Sequence, residues 1–550
     1  MIGTLMKTRR LLLLVVLLAS TLTTGTNKDK YLTVAEKSNF ESTSRHEDVM
    51  NFFKSLKEIS PNFRIESMGK SIGGLDIPLI IMGKQLPKSF KEIKKDKRIV
   101  VYLQANIHAG EVEGKEAVQM LTRDILLKET PDYLKNVIIL ICPIFNADGN
   151  EQISKQSRPH QAGPVNGVGV RHNGMMLDLN RDAMKVESPE VYGMITNVLN
   201  KWDPALMMDL HTTNGSYHQE PTTYTWMVNP NTDRGLINYM RDKMMPWVKN
   251  DLTINYKWQN LFYGEFFDQR TPEKGWVYDA VQPRYIVNYI GLRNRLSILN
   301  ENYVYADFKT RVIGCYNLLK SVLEYASTNK DAIKKMLKEV DGKTISRGMN
   351  PAESDSVAVE FVNKPSPVPE TINAYEMEGY KDANGRERYK PTDKTKTVSV
   401  PYYIEYFSKR SVTFPFAYLI SQADAKVVAL LKTHGIKVEK LEKPVTLDVQ
   451  TIKTKELKPA ARLNQGHYSN TIKVEYVNEK KEFTAGTLVV RTAQPLANVA
   501  TYLLEPETDD GLLYWNFWDK YLVPQWGGAF LPYPVTKVLT AQEMVTKELK

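Results

Sequence analysis

The sequence contains very little cysteine, and this excludes stabilisation by a network of disulfides. Among its 550 residues only Cys142 and Cys315 are cysteines, and each lies in an apolar segment. We therefore expect both to be buried free thiols. The chain also lacks internal repeats and low-complexity segments, which excludes a repeat architecture. Its composition, 42% hydrophobic and 25% charged, is that of an ordinary globular protein.

Charge of one sign is not concentrated anywhere along the chain. The formal net charge is +10, but the lysines are spread throughout and mixed with glutamate and aspartate. A nucleic-acid-binding protein usually gathers its cations into a patch or stripe, so we predict no nucleic-acid partner. With 550 residues the chain is too long for one hydrophobic core, and two or three domains are expected.

Long hydrophobic runs are absent beyond the amino terminus, so no internal segment is expected to span a membrane. Near the start, Lys7, Arg9 and Arg10 precede an apolar run at residues 11–19, which small and polar residues follow. This pattern is typical of a secretory signal peptide, and the run is too short to cross a bilayer comfortably. We predict a signal peptide over residues 1–25 and a secreted or periplasmic protein with no stable membrane span after cleavage. The alternative is an uncleaved anchor.

Apolar strand patterns alternate with helical patterns from about residue 30 to residue 330. This alternation predicts an α/β fold, with a mixed, mostly parallel twisted sheet flanked by helices. In open sheets of this class, ligands bind beyond the carboxyl ends of the strands. The predicted strands are 79–82, 99–104, 137–141, 205–210 and 296–300, and the predicted helices are 112–127, 189–202, 234–248 and 306–325.

The composition changes near residues 340–400, where prolines and a charged run appear. We predict a main domain over residues 30–335, a linker or β-hairpin region over 336–400, and a smaller α/β or β-rich accessory domain over 401–550. Three tryptophans of the last region could form a platform for carbohydrate, although spaced aromatic residues more often belong to a core. These are Trp515, Trp518 and Trp526.

The stretch His108-Ala109-Gly110-Glu111 carries the most specific chemistry in the chain. An imidazole and a carboxylate three residues apart, at the end of a buried strand, can bind one divalent metal ion, and zinc takes such ligands. A third ligand has to come from another strand. His211 ends the predicted strand 205–210 and is favoured, whereas His218 lies inside a loop and is the alternative.

Two further patterns suit a hydrolytic site. Arg181 offers a planar fork of donors that matches a carboxylate, and the adjacent Asn180 can supplement it. The other interpretation pairs Arg181 with Asp182 at the surface. Glu301 stands near the exit of the predicted strand 296–300 and could take a proton from an activated water, although such a glutamate is often only a solvated surface residue.

Together these motifs resemble the zinc metallocarboxypeptidase family, the relatives of carboxypeptidases A and B. The resemblance covers about residues 40–325 and implies a bacterial-type secreted member with a C-terminal accessory domain. It implies one zinc ion per chain on His108, Glu111 and His211. The five motifs stand in the family's order: residues 106–111, 143–149, 177–181, 209–211 and Glu301.

The resemblance also implies roles for the remaining site residues. Asn180 and Arg181 would bind the terminal carboxylate of the substrate, and Glu301 would be the catalytic base. Arg171 would polarise the scissile carbonyl and stabilise its oxyanion. Tyr285 and Tyr289 are both candidates for a mobile tyrosine that closes over the substrate.

One departure from the family concerns residue 110. Many digestive members have arginine inside the first motif, where this chain has Gly110. The change removes a secondary substrate contact and puts the usual peptide preference in doubt.

The sequence thus predicts an exported zinc carboxypeptidase that hydrolyses C-terminal amide bonds of peptides with a free carboxylate. Alternatives are a cell-wall peptide amidase or deacylase on the same fold, and a non-catalytic binding protein. The accessory domain could serve as a lid over the substrate, as a wall-binding module or as a folding partner.

Overall fold

A mixed β-sheet forms the centre of the first part of the chain. The structure is a computed structural model that describes residues 28–213, 215–524 and 526–549, so the predicted signal peptide lies outside it. Among the described residues, the central sheet has the strand order β1-β2-β4-β3-β5-β10-β6-β7. Its strands are β1 (Phe63–Lys70), β2 (Asp76–Met82), β3 (Ile99–Ala105), β4 (Val137–Cys142), β5 (Leu206–Thr213), β6 (Thr222–Trp226), β7 (Asn260–Phe262) and β10 (Leu296–Tyr303).

The middle of this sheet is parallel. The pairs β4–β3, β3–β5 and β5–β10 run in parallel, whereas β1–β2, β2–β4 and β10–β6 are antiparallel. Every residue of β3 and β4 is buried, because helices cover both faces of a parallel sheet and its strands become continuous apolar runs. The predicted α/β class and mixed sheet are confirmed.

Helices pack against both faces of the central sheet. Helix α4 is buried along its whole length, and it follows β3 directly, as a crossover between parallel strands requires. The helices of this part are α1 (Val34–Lys37), α2 (His46–Leu56), α3 (Phe90–Lys95), α4 (Glu113–Leu126), α5 (Ala147–Glu151), α6 (Pro189–Gly193), α7 (Asn200–Trp202), α8 (Arg234–Tyr239), α9 (Met245–Ile254), α10 (Ile286–Leu292) and α11 (Phe308–Thr328).

The rest of the chain is rich in β-strands. Helix α12 (Lys330–Met349) crosses the predicted boundary at residue 335. A small sheet combines β11 (Ser356–Pro365) and β14 (Tyr402–Thr413) with two short strands of the first part, β8 (Glu265–Phe266) and β9 (Trp276–Val277). Between β11 and β14, the strands β12 (Glu370–Lys381) and β13 (Glu387–Val400) form a hairpin. A hairpin is thus present in the predicted 336–400 region, while the domain division itself stays a prediction.

The carboxyl-terminal sheet has the order β18-β17-β20-β15-β19-β16-β21. Its longest strands, β17 and β18, form a hairpin that the sequence analysis did not predict. Trp515 and Trp518 are buried and Trp526 is 91% exposed, so the three tryptophans do not share one surface. The elements are β15 (Ala417–Ile420), α13 (Ala425–His434), β16 (Glu439–Leu441), β17 (Val445–Pro459), β18 (Asn470–Phe483), β19 (Leu488–Arg491), α14 (Ala497–Leu504), α15 (Asp519–Leu522), β20 (Val535–Val538) and β21 (Thr546–Glu548).

The two cysteines are buried and free, as expected. Among the described residues, none of the helices combines the length and apolar character that a bilayer crossing requires.

His434 joins the carboxyl-terminal region to the first part of the chain. It is the last residue of α13 and is fully buried. Its Nε2–H donates to the Met184 carbonyl at 3.0 Å, and its Nδ1 accepts from the Tyr289 hydroxyl at 2.7 Å. Burial, supported by the charge of Arg293, lowers the pKa of His434 to about 3. The imidazole is therefore neutral in the folded protein.

This junction predicts a loss of stability in acid. The unfolded chain binds a proton at His434 below about pH 6.5 and the folded chain does not, so the free energy of unfolding falls as the pH drops from 6.5 towards 3. At pH 5 this difference in proton binding lowers the free energy of unfolding by about 2 kcal/mol. Urea unfolding followed by tryptophan fluorescence between pH 5 and 8 measures it. His434→Gln should flatten this pH dependence, whereas exchange of the exposed His160 should not; equal slopes for both variants would contradict the prediction.

Candidate metal centre and substrate cleft

The first two candidate ligands lie on a tight loop between β3 and α4. Asn106 adopts a left-handed conformation (φ 64°), and its side-chain amide donates to the carbonyls of Ala109 and Glu111, both at 3.2 Å. The Glu111 N–H donates to the His108 carbonyl at 2.9 Å. This turn places the two side chains together, with His108 Nδ1 3.0 Å from Glu111 Oε1.

The third candidate ligand comes from the neighbouring strand β5. His211 Nδ1 lies 3.0 Å from Glu111 Oε2. One donor atom from each of His108, Glu111 and His211 lies within 4.8 Å of the other two, and all three side chains are buried. No other such cluster exists in the described part of the chain. His218, the alternative from the sequence, is outside the cluster and stacks on the Tyr303 ring, with 4.2 Å between the centroids.

Each candidate histidine faces a carboxylate with its second ring nitrogen. His108 Nε2 lies 2.9 Å from Asp178 Oδ1, and His211 Nε2 lies 2.9 Å from Asp209 Oδ2. When such an imidazole binds a metal ion through Nδ1, a carboxylate in this position keeps its one remaining proton on the outer nitrogen. Two imidazoles and one buried carboxylate are the donor set of an open zinc site. The residues present therefore fit zinc.

Glu111 stays ionised although it is buried. Burial raises its pKa, but the charges of His108 and Arg158 hold the pKa of the Glu111 carboxyl well below its usual range. Arg158 donates to Glu111 Oε1 at 2.9 Å, and the Thr212 N–H donates to Oε2 at 3.1 Å. A carboxylate has to be deprotonated to bind a metal ion, and these contacts keep it in that form.

Arg158 also explains why residue 110 is glycine. A Cβ on Gly110 would lie 2.6 Å from Arg158 Cδ and 2.9 Å from the Gly169 carbonyl oxygen, so a larger residue would displace the backbone of the neighbouring loop. The motif lacks an arginine of its own, but the Arg158 guanidinium, from the irregular loop that follows α5, lies beside it. The effect of Gly110 on substrate preference stays a prediction.

Strand register places Glu301 beside the candidate ligands. Strands β10 and β5 pair in parallel, and Glu301 is the direct partner of His211. Burial raises the pKa of Glu301 to about 7, against the opposing charge of His211 and with a contribution from Glu111. A carboxyl group that titrates near neutral pH can both accept a proton and return it.

A cleft of about 230 Å³ opens in front of the three candidate ligands. It brings together every predicted site residue except Tyr289. The Arg181 guanidinium stacks on the Tyr285 ring, 4.4 Å from its centroid. Asn180 Oδ1 accepts a hydrogen bond from the Ile286 N–H at 3.0 Å, which joins the two segments that form this wall of the cleft.

Arg171 reaches the cleft from the loop before Asp178. Its Nε and Nη2 donate to Asp178 Oδ2 at 3.0 and 2.8 Å. Its Nη1 lies 3.2 Å from His108 Nδ1 and 3.7 Å from Glu111 Oε1. The guanidinium is thus fixed next to the candidate metal ligands.

Tyr289 does not reach the cleft, so its prediction as a residue that closes over the substrate is wrong. Its side chain is fully buried, and its hydroxyl is engaged by His434 and Arg293. Tyr285 directly precedes α10 and lines the cleft, whereas Tyr289 lies one turn later, where the helix packs against the carboxyl-terminal region.

Three further side chains, those of Asp178, Asp209 and Arg158, support the site and were not among the predicted site residues. Asp178 and Asp209 each stand two residues before a predicted site residue, Asn180 or His211, and an acidic residue at that spacing was the available signal. Arg158 had no such signal, because it comes from an irregular loop whose path depends on the rest of the fold.

A comparison with protein families agrees with this geometry. A family model described as zinc carboxypeptidase matches residues 49–234, which include His108, Glu111 and His211. The chain contains a zinc carboxypeptidase domain. It is accordingly a metallopeptidase, a hydrolase with zinc as its cofactor, and the His-Glu-His cluster is present to hold the ion.

Relatives of this chain match most of its length. Carboxypeptidase 2 of Trichophyton rubrum is 22% identical over 501 residues, which are 87% of this chain and 86% of that protein. Carboxypeptidase 2 of Trichophyton tonsurans is 22% identical over 458 residues, 80% and 78% of the two chains.

Solved structures align with this chain over about half of its length. A metallo-carboxypeptidase from Burkholderia cenocepacia has a TM-score of 0.38 at 16% identity, over 52% of this chain and 70% of the other. Carboxypeptidase A from Helicoverpa armigera has a TM-score of 0.39 at 16% identity, over 55% and 80%.

Proposed function

We propose that this chain is an exported zinc carboxypeptidase that hydrolyses the C-terminal amide bond of peptides with a free carboxylate. The observation that carries the proposal is one cleft that holds three metal ligands, the carboxyl group of Glu301 and the cation of Arg181. Export is inferred from the amino-terminal pattern in residues 1–25. The division into domains 30–335, 336–400 and 401–550 is part of the same proposal.

Arg181 and Asn180 bind the terminal carboxylate of the substrate. A guanidinium matches a carboxylate with two parallel hydrogen bonds. It offers donors only, so the NH2 group of a C-terminal amide would find no acceptor there, and amidated substrates are disfavoured. Stacking on Tyr285 restricts the Arg181 side chain, so less conformational entropy is lost when the substrate binds.

Glu301 is the general base. Its carboxylate accepts a proton from the attacking water and then delivers it to the leaving amine. A zinc ion held by His108, Glu111 and His211 would acidify water and polarise the carbonyl group. Arg171 donates to the carbonyl oxygen as negative charge develops on it, which is the role of an oxyanion donor.

Replacement of Arg171 tests the oxyanion role. Arg171→Ala should lower kcat by about 10²–10³, the usual cost of one oxyanion donor, while zinc stays bound. Steady-state kinetics and metal analysis of the same sample measure both quantities. Arg270→Ala, which removes an exposed arginine paired with Asp268, is the matched control and should leave kcat unchanged. Normal turnover in Arg171→Ala would assign the role to another group.

Two experiments test the proposed substrate class: analysis of the reaction products and replacement of Arg181. Mass spectrometry of a peptide library should show loss of single residues from free C-termini and none from C-terminal amides. Arg181→Ala should raise KM about 10- to 100-fold, as expected when a charge-assisted contact of about 1.5–3 kcal/mol is lost. The amidase or deacylase alternative would be favoured by internal cleavage. It would also be favoured if the protein released only acyl groups or only cell-wall peptides. No hydrolysis by zinc-loaded protein would favour a binding protein.

A further inference from the structure

The tip of the β17–β18 hairpin reaches the wall of the cleft. Gln465, at this tip, accepts a hydrogen bond from the Asp178 N–H through its Oε1, at 2.8 Å. Asp178 is the residue that orients His108, and its other carboxylate oxygen binds Arg171. Two residues after Gln465, His467 Nε2 lies 2.8 Å from Glu187 Oε1. The hairpin tip therefore contacts both ends of the segment 178–187.

A second part of the carboxyl-terminal region holds the other segment of this wall. Arg284 directly precedes Tyr285, and its backbone N–H donates to Asp510 Oδ2 at 2.8 Å. The Arg284 guanidinium lies 2.9 Å from Asp510 Oδ1 and stacks on the Tyr514 ring, 4.8 Å from its centroid. Asp510 is fully buried, and so its pairing with Arg284 is screened little by solvent.

These two contacts bracket the place where the substrate carboxylate would bind. The segment held by Gln465 carries Asn180 and Arg181, and the segment held by Asp510 carries Tyr285. The two segments meet through the Arg181–Tyr285 stack and the Asn180–Ile286 hydrogen bond. Recognition of a planar carboxylate by a guanidinium depends on fixed geometry, so whatever holds these segments in place also sets how well the substrate binds.

We infer that Gln465 and Asp510 are positioning residues of the carboxylate-binding wall, so that the carboxyl-terminal region is a working part of the substrate site. This inference rests on the proposed function, because it assumes that Asn180 and Arg181 bind the substrate carboxylate. It assigns the region a role in substrate binding at the cleft and not only in folding or in attachment to the cell wall. Neither residue lines the cleft, so each would act only through the segments that it holds. The effect is expected in KM, because these segments carry the residues that bind the substrate carboxylate.

The test uses the full chain with Gln465→Ala, an N-blocked dipeptide substrate and 3-phenylpropionate as a carboxylate inhibitor. Loss of one hydrogen bond that holds the wall should raise KM about 3- to 10-fold. It should raise the inhibition constant of 3-phenylpropionate by the same factor, with kcat within about twofold of wild type and zinc content unchanged. Asp510→Ala should act in the same direction. Gln465→Glu keeps a side-chain oxygen at the same reach and should restore most of the binding.

Gln542→Ala is the matched control. Gln542 Oε1 accepts a hydrogen bond from the Asp448 N–H at 2.9 Å, the same kind of contact, at the far end of the same hairpin. It should leave KM and the inhibition constant unchanged.

The outcomes distinguish failure of the positioning role from failure of the proposed carboxylate site. If Arg181→Ala raises KM and Gln465→Ala leaves it unchanged, the positioning role is wrong and the proposed function stands. If Arg181→Ala itself leaves KM unchanged, the carboxylate site is wrong and the inference falls with it. A decrease in thermal stability of Gln465→Ala with unchanged KM would mean that the contact serves folding only, and this would also overturn the inference.

Discussion

Glu301→Gln is expected to lower kcat by about 10²–10⁴, the range for loss of a general base, with one zinc ion per chain retained. The amide has nearly the same shape as the carboxyl group but cannot accept the proton of the attacking water. Glu301 is not a member of the metal-binding cluster, so its exchange should leave the ligands in place. Steady-state kinetics and metal analysis on the same preparation measure both effects.

The pH dependence of kcat/KM gives a second test of the role of Glu301. Burial raises the pKa of Glu301 to about 7. A bound divalent cation nearby would lower this value, so the acid limb of kcat/KM is expected below pH 7, with activity rising as the carboxyl group ionises. Glu301→Gln should abolish this limb. Glu265→Gln, at an exposed carboxyl group on β8, is the control and should keep wild-type activity. Loss of zinc in Glu301→Gln would show that Glu301 is a ligand and not a base.

Loss of His211 is expected to remove zinc and, with it, peptidase activity. His211 supplies one of three donor atoms, and two ligands do not form a stable catalytic site. After dialysis against a chelator and return of one equivalent of zinc, His211→Ala should bind almost no metal, whereas the wild-type chain should regain full activity. Asp209→Asn should lower zinc affinity by about 10- to 100-fold, because it removes only the partner of the outer ring nitrogen.

The control for this experiment is the histidine that the sequence left as the alternative ligand. His218→Gln should keep zinc, since His218 stacks on Tyr303 outside the cluster. If His218→Gln lost zinc while His211→Ala kept it, the ligand set would have to be revised. If chelation left the wild-type activity unchanged, the hydrolysis would not depend on the metal.

Strand ends were the most predictable feature of the candidate site. His108 follows an apolar run, His211 ends one and Glu301 stands near the end of another, and alternation of strands with helices implies that such ends meet at one edge of a sheet. The pairing of Glu301 with His211 follows from parallel neighbouring strands. The sequence could not decide which strands are neighbours, because pairing depends on the order of crossovers and not on local pattern.

Loops and helix faces were less predictable. Tyr285 and Tyr289 share one short segment, and nothing in it separates the cleft-facing residue from the buried one. Tyr289 is drawn away from the cleft by its hydrogen bond to His434, which lies on α13, 145 residues further along the chain. Arg158 was equally unpredictable, because its packing against Gly110 depends on the path of an irregular loop through the folded structure.

The sequence by itself determined the fold class and the order of the motifs, because both depend on residue types along single strands and turns. It also proposed three zinc ligands from two separate strand ends, and the fold brings these three side chains together. The tertiary structure alone decided which carboxylates orient the histidines, which tyrosine lines the cleft and how the carboxyl-terminal region touches it. Gln465 and Asp178 are 287 residues apart, and a contact over that distance leaves no local pattern in the sequence. Such contacts depend on how separately formed elements pack, so only the folded chain shows them.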